Sequence, residues 1–174
     1  AIVKVLKWLS ERRGKDGHAV VKWDLVEELM KDAASERAKR RAKAEGKNVP
    51  AKVRIGTQDA LYKLAILGIV IDWTVDYNSE TFDVEMREID EGIEAFVKEQ
   101  LQTYIRRHNP TFSFDNPSPA HRKYVDEYRK APADDGLIGL IDALLLWTND
   151  NIVFSRRRAI GNMLDLCESD RSEQ

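Results

Sequence analysis

Apolar residues recur at helical spacing along much of the chain. The period predicts helices over residues 1–13, from Leu25 to about Glu45, from Thr57 to Leu67, and from Ile89 to Ile105. Asp24 stands before the second helix and is predicted to cap it. Gly68 follows the third helix and is predicted to end it, since glycine tolerates the left-handed backbone of a helix C-terminus.

Alternating and β-branched residues interrupt this helical pattern in two places. Residues 18–23 predict a short strand, and Ile69–Tyr77 and Thr81–Met86 predict a hairpin around a polar turn. The order helix, strand, helix, helix, hairpin is that of a winged helix-turn-helix domain. We therefore expect a mainly α protein with a small β-hairpin, namely a winged helix-turn-helix over residues 1–88 followed by a helical C-terminal region over 89–174.

The C-terminal region is predicted to alternate between helices and loops. A loop is predicted over residues 109–119, a short helix near Tyr124, a linker over 131–136, and one or two helices between Leu137 and Cys167.

The longest apolar run of the C-terminal region, like the one from Leu64 to Ile71, is shorter than the ~20 residues of a membrane span, so no membrane span is expected. The single cysteine excludes a disulfide-stapled module. The first residue is Ala1 rather than Met, from which we expect a piece of a longer protein.

Charge is distributed in blocks that the formal net charge of -2 conceals. The segment from Arg37 to Arg54, here called the basic segment, holds eight basic residues and one acidic residue, a balance of +7. Residues 71–95 hold nine acidic residues and one basic residue, a balance of -8. The basic segment is suited to phosphates, whereas a hairpin carrying Asp72, Asp76, Glu80 and Asp83 would be repelled by them.

Enzymatic chemistry is not indicated by any motif. The sequence contains no GxxxxGK[ST] phosphate-binding loop, no CxxC pair and no HExxH. The three histidines are far apart in sequence, and Cys167 has no activating neighbour. We therefore expect no catalytic residues and no metal site in this chain.

Three stretches, taken together and in order, resemble a known family. They are DALYKLAILGIVIDWTVDYNSETFDV (Asp59–Val84), the helix end TYIRRHNP (Thr103–Pro110) and LLLWTNDNIVFSRRRAIGNMLDLCE (Leu144–Glu168). In this order and spacing they resemble the region behind the motor core in a branch of the RecQ-family DNA helicases. The resemblance covers about two thirds of the chain.

The resemblance implies that separate domains of a larger protein hydrolyse ATP and bind DNA. Two RecA-like motor domains hydrolyse ATP with Mg²⁺ and unwind DNA in the 3′ to 5′ direction, and many members add a four-cysteine zinc subdomain. This chain would be the DNA-binding accessory region, with no cofactor of its own. Its partners would be duplex or forked DNA and the motor domains of the same parent chain, in the cytoplasm on the bacterial nucleoid, in DNA repair or recombination. No membrane partner is implied.

Candidate DNA contacts come from three places in the sequence. Phosphate contacts are predicted from the basic segment, a helix contact from the third helix, and stacking on a frayed base pair from the hairpin turn. The residues are Arg40, Arg41, Lys43, Lys52, Arg54, Gln58, Lys63 and Tyr77. Tyr104, Arg106 and Arg107 are weaker candidates of the same kind.

Two other functional classes fit the same pattern. A stand-alone winged-helix transcription regulator would dimerise through its C-terminal helices and bind a palindromic operator. A protein-interaction module would use the acidic hairpin to dock on a basic partner.

Overall fold

The computed structural model describes residues 1–30, 56–153, 155–156 and 158–160. Its contacts divide the chain into two compact units, Ala1–His108 (unit 1) and Asn109–Gln174 (unit 2). By these contacts the long helix after the hairpin belongs to unit 1, whereas the sequence pattern groups it with the C-terminal region.

Unit 1 combines helices with one small sheet. In chain order its elements are α1 (Ile2–Arg12), β1 (His18–Lys22), α2 (helical at residues 25–30), α3 (Thr57–Ile66), β2 (Val70–Asp76), β3 (Thr81–Met86) and α4 (Ile93–Arg106). The predicted mainly α fold with a small hairpin is confirmed. Each predicted element from α1 to the hairpin is present among the described residues, and the predicted end of the second helix near Glu45 lies outside them.

The sheet contains all three strands in the order β1-β3-β2, and both pairings are antiparallel. The register sets Ala19 opposite Val84 and Val21 opposite Phe82, so the apolar residues of β1 and β3 share one face. A bulge between Val70 and Asp72 shifts the register at the start of β2. One face of the sheet therefore closes the core, and the other faces solvent.

The core of unit 1 forms where the apolar stripes of the helices meet this sheet face. α1 packs on α3 and β1, and α3 packs on β2 and α4. Fully buried side chains include Leu9, Leu61, Leu64 and Leu101. Burying a leucine contributes roughly 1.5–3 kcal/mol, so this stripe, rather than helix propensity, stabilises the short helices.

Gly68 ends α3 as predicted. Its φ of +72° lies in the left-handed region, and its N–H donates to the carbonyl of Ala65. A Cβ at this position would lie 2.8 Å from the Phe96 ring. Both the backbone conformation and the close approach of α4 therefore favour glycine here.

Unit 2 pairs two helices. α5 (Arg122–Arg129) packs on α6 (Gly136–Thr148), a 3-10 turn (Ala133–Asp135) stands before α6, and a π-helical turn (Asn149–Val153) follows it. The predicted linker over 131–136 thus contains a turn of helix and the first residue of α6. A Cβ on Gly139 would lie 2.5 Å from the carbonyl oxygen of Tyr128, so only glycine allows this close crossing.

Hydrogen bonds fix the C-terminal end of α6. Asp150 in the π-helical turn accepts from Lys123 and from the Tyr124 hydroxyl, and the Asn151 amide donates to that hydroxyl and to the Trp147 carbonyl. The buried Trp147 indole donates to the Asn109 side chain over 3.0 Å. The turn is thereby tied to α5, and α6 is tied to the first residue of the unit.

Acid is expected to weaken unit 2 through Asp150. The hydrogen bond from Lys123 is the main cause that lowers the pKa of Asp150 below its ordinary value. A lowered carboxyl pKa stabilises the fold above the unfolded pKa of about 3.9, and this contribution is lost as pH falls through the lower folded value. Asp150→Asn should therefore flatten the fall in thermal stability between pH 5 and pH 2, measured by circular dichroism. The exposed Asp134→Asn serves as the matched control, and identical pH profiles for both variants would contradict the assignment.

One helical stretch of the described chain, Ala133–Ile160, is long and apolar enough to cross a membrane by length and composition alone. An uninterrupted apolar run ends at a charged residue such as Asp142, so the apolar runs of the sequence do not reveal this stretch. A longer window that admits such a residue does reveal it. The core helix of a soluble protein passes the same test, and α6 buries Leu140, Leu144 and Trp147. The finding is weak evidence for a membrane span.

Candidate nucleic-acid interface

The predicted DNA contacts fall into two groups. Five of them, Arg40, Arg41, Lys43, Lys52 and Arg54, lie outside the described residues. The other three, Gln58, Lys63 and Tyr77, lie in unit 1. The first two are on α3, and the third is at the turn of the hairpin.

The polar face of α3 carries little free charge. Gln58 is exposed, but the Lys63 ammonium forms an ion pair with Asp59 one turn earlier, and its side chain is only 16% exposed. The exposed ring on this face is Tyr62, which is 57% exposed and was missed by the sequence prediction. Its position four residues after Gln58 could have indicated that it is exposed on this face, because that spacing places both residues on the same side of a helix.

Trp23 joins the hairpin turn to the start of α3. Its backbone N–H donates to the Glu80 carbonyl over 3.0 Å, and its own carbonyl accepts from the Thr57 hydroxyl over 2.7 Å. Its ring meets Tyr77 edge to face, with 5.7 Å between centroids, and lies 6.2 Å from Phe82. We call Trp23, Thr57, Tyr77, Glu80 and Phe82 the Trp23 cluster.

Thr57 also fixes the start of α2. Its hydroxyl accepts the N–H of Val26 over 3.2 Å while donating to Trp23, and the residue is only 2% exposed. Sequence reasoning assigned the capping of α2 to Asp24, but the Val26 N–H is bound by a side chain distant in sequence. The N-termini of α2 and α3 are therefore held together by one buried hydroxyl.

The hairpin turn is held in a defined shape by Asp76. This carboxylate accepts from the N–H groups of Asn78 and Ser79 and from the Ser79 hydroxyl. The Ser79 hydroxyl is the largest cause that lowers the pKa of Asp76, so the group stays ionised. Tyr77 beside it is 77% exposed. A large ring is thus presented to solvent on an ordered turn.

The solvent-facing side of the sheet is acidic. The register places Asp72 opposite Glu85, and Asp76 and Asp83 lie on the same face. On β1, His18 contacts Asp83 over 3.0 Å, and this hydrogen bond is the main cause that raises the pKa of His18. Like charges on opposed strands are unfavourable, and this face would repel phosphates.

Comparisons with known proteins assign no function to this surface. Comparison of the chain with protein-family models, with curated proteins and with solved structures finds no match. Across the part of the chain that the structure describes, no three metal-ligating side chains come together. The likeness to RecQ-family helicases stays a prediction from the sequence motifs.

Proposed function

We propose that unit 1 is a winged helix domain that binds DNA, and that the chain is the non-catalytic accessory region of an ATP-dependent RecQ-like DNA helicase. The observation that carries the proposal is the Trp23 cluster, which holds the hairpin turn beside the start of α3. The element order and the sheet order β1-β3-β2 support it, since both suit a wing placed next to a recognition helix.

The charges assign different roles to different parts of the chain. The solvent-facing side of the sheet is too acidic to follow a phosphate backbone, so the phosphate contacts are assigned to Arg40, Arg41, Lys43, Lys52 and Arg54. Gln58 and Lys63 lie on the helix that would approach the groove, where Lys63 must leave Asp59 to contact a phosphate. Tyr77 on the ordered turn would stack on the last base pair of a duplex.

The proposed binding is selective for DNA structure rather than for base sequence. Recognition of a base sequence relies on several bidentate side chains, such as Arg, Asn or Gln, on the exposed face of the helix. Of these types the exposed face of α3 carries Gln58 alone, beside Asp59 and Tyr62. ATP, Mg²⁺ and any Zn²⁺ would be bound by other domains of the parent protein.

A protein-interaction module is a second candidate. It is favoured by the acidic side of the sheet, where Asp72 faces Glu85 at some cost to stability. A basic protein partner would neutralise that face, whereas DNA would not.

Fluorescence anisotropy of the whole chain separates these functions. We expect forked DNA to bind more tightly than blunt duplex of the same length at low salt, whatever the base sequence. Tyr77→Ser should abolish this preference, and Val20→Ser is the control because Val20 is 62% exposed on the same sheet but away from the turn. Tight binding of a palindromic operator by a stable dimer would favour the regulator. An absence of DNA binding at low salt would refute the proposal and leave the interaction module.

A further inference from the structure

The hydrogen bonds of β3 determine which backbone groups of its neighbours face outward. The Met86 N–H at the end of β3 donates to the Gly17 carbonyl, and the Glu80 carbonyl just before β3 accepts from the Trp23 N–H. The even-numbered positions of β3 thus bond on the β1 side. Because residues that exchange both hydrogen bonds alternate along an antiparallel pair, the odd-numbered positions of β3 bond to β2.

On β2, the same alternation leaves every second residue directed away from the sheet. The partners of the odd-numbered positions of β3 are Asp72, Thr74 and Asp76. The N–H and C=O groups of Trp73 and Val75 therefore face the outer edge of β2, which is an edge strand in the order β1-β3-β2. The Trp73 N–H donates to the Asp72 carboxylate over 2.8 Å, and among the described residues no backbone group bonds to these outward groups.

The two faces of the sheet differ in chemistry along this edge. Trp73 and Val75 lie on the face that closes the core, where Trp73 is half-buried and Val75 is 36% exposed. The solvent-facing side presents the side chains of three exposed residues of β2, namely Asp72, Thr74 and Asp76. The basic residues of β1 on that side, His18 and Lys22, lie two strands away, at roughly 10 Å. Beside β2 the sheet is therefore acidic on one face and apolar on the other.

We propose that the outer edge of β2 binds an extended peptide whose residues alternate between basic and apolar, added to the sheet as a fourth strand. Strand addition satisfies outward backbone groups by main-chain hydrogen bonds, while alternate side chains of the peptide meet the two faces. The basic side chains would contact Asp72 and Asp76, and the apolar ones would cover Trp73 and Val75. A second copy paired through β2 would instead set carboxylates beside carboxylates, which is unfavourable.

This inference goes beyond the proposed function. It gives the acidic side of the sheet a partner whether or not unit 1 also binds DNA. The test measures the fluorescence anisotropy of a fluorescein-labelled peptide, KVKVKVK, with the whole chain at about 0.15 M salt. The peptide KKKKVVV has the same composition and charge but no alternation, so it should bind about threefold more weakly or worse. Equal binding of the two peptides would show attraction by charge alone and would overturn the inference.

A matched pair of charge variants locates the peptide on the sheet. Thr74 and Val20 lie opposite Asp83 from either side, so Thr74→Lys and Val20→Lys place one cation in the same row of the sheet. Thr74 would adjoin the added strand, whereas Val20 would lie about 14 Å from it, beyond the screening length of about 8 Å. Thr74→Lys should weaken KVKVKVK binding by about fourfold, and Val20→Lys should bind like the wild type. Equal losses in both variants, or a loss in neither, would overturn the inference.

A second pair of variants tests the main-chain hydrogen bonds. Val75→Pro removes an outward N–H and no ladder hydrogen bond, a change that edge strands tolerate. Val20→Pro makes the same change on the outer edge of β1. Val75→Pro should weaken KVKVKVK binding by about tenfold, and Val20→Pro should leave it unchanged, with folding verified by circular dichroism. Wild-type affinity in a folded Val75→Pro would overturn strand addition, and Thr74→Lys decides the question if Val75→Pro does not fold.

The outcomes separate this inference from the proposed function. Forked-DNA binding without binding of KVKVKVK overturns the inference and leaves the proposed function standing. Binding of KVKVKVK that is lost in Thr74→Lys and Val75→Pro, in a chain with no affinity for DNA, supports the inference and refutes the proposed function. A dimer seen by sedimentation in the wild type but not in Val75→Pro would show a second copy on β2 and would overturn the inference.

Discussion

Thr57→Val will lower the free energy of unfolding of unit 1 by about 2 kcal/mol or more. The Thr57 hydroxyl accepts the Val26 N–H and donates to the Trp23 carbonyl, and Thr57 is buried. Valine fills nearly the same space but satisfies neither group, and each buried group left without a partner costs about 1–3 kcal/mol. Because the bonds join α2, α3 and the Trp23 cluster, we expect the loss to spread beyond one helix end.

Thr57→Ser is the matched control, because it keeps the hydroxyl and removes only a methyl group. It should cost less than Thr57→Val, and urea unfolding followed by circular dichroism measures both variants. Equal stability of Thr57→Val and the wild type would show that water satisfies the two backbone groups. In that case the hydroxyl would not be what holds the starts of α2 and α3 together.

The elements of unit 1 were predictable because their determinants are local. The helical period of Ile2, Val5, Leu6 and Leu9 matches the buried face of α1. The alternation of Phe82, Val84 and Met86 matches the buried face of β3. Gly68 likewise indicates the end of α3, because glycine itself adopts the left-handed backbone conformation at no steric cost.

What escaped prediction depends on contacts between residues distant in sequence. The Val26 N–H at the start of α2 is bound by Thr57, 31 residues later in the chain, and no local pattern indicates this bond. The same holds for the Trp147 indole, which donates to the side chain of Asn109, 38 residues earlier in the chain. The π-helical turn after α6 is held by Lys123 and Tyr124 of α5, so its shape is decided by packing rather than by its own residues.

The candidate site was only partly predictable for the same reason. Tyr77 was found because turns expose their side chains, and its exposure agrees with that reasoning. Lys63 was predicted as a DNA contact on the third helix, and its ion pair with Asp59 forms only once the helix has folded.

Charge is the property on which the account depends most. The hairpin and the solvent-facing side of the sheet are acidic, so a DNA-binding role for unit 1 requires cations from outside the sheet. The basic segment between α2 and α3, from Arg37 to Arg54, holds the densest group of cations in the sequence. Its residues lie next to α3 in the sequence, with Arg54 two positions before Gly56.

The most direct measurement is the salt dependence of forked-DNA binding in Arg40/Arg41/Lys43→Ala. Each phosphate contact contributes about 0.9 to the slope of log K against log salt on duplex DNA, so the slope should fall by about 2.7. Affinity at low salt should fall by more than about tenfold. Lys7/Arg12/Lys15→Ala removes the same charge from exposed positions on and after α1 and should leave the slope unchanged. Equal slopes and affinities for the wild type and both triple variants would contradict the account, because the basic segment would then make no phosphate contact.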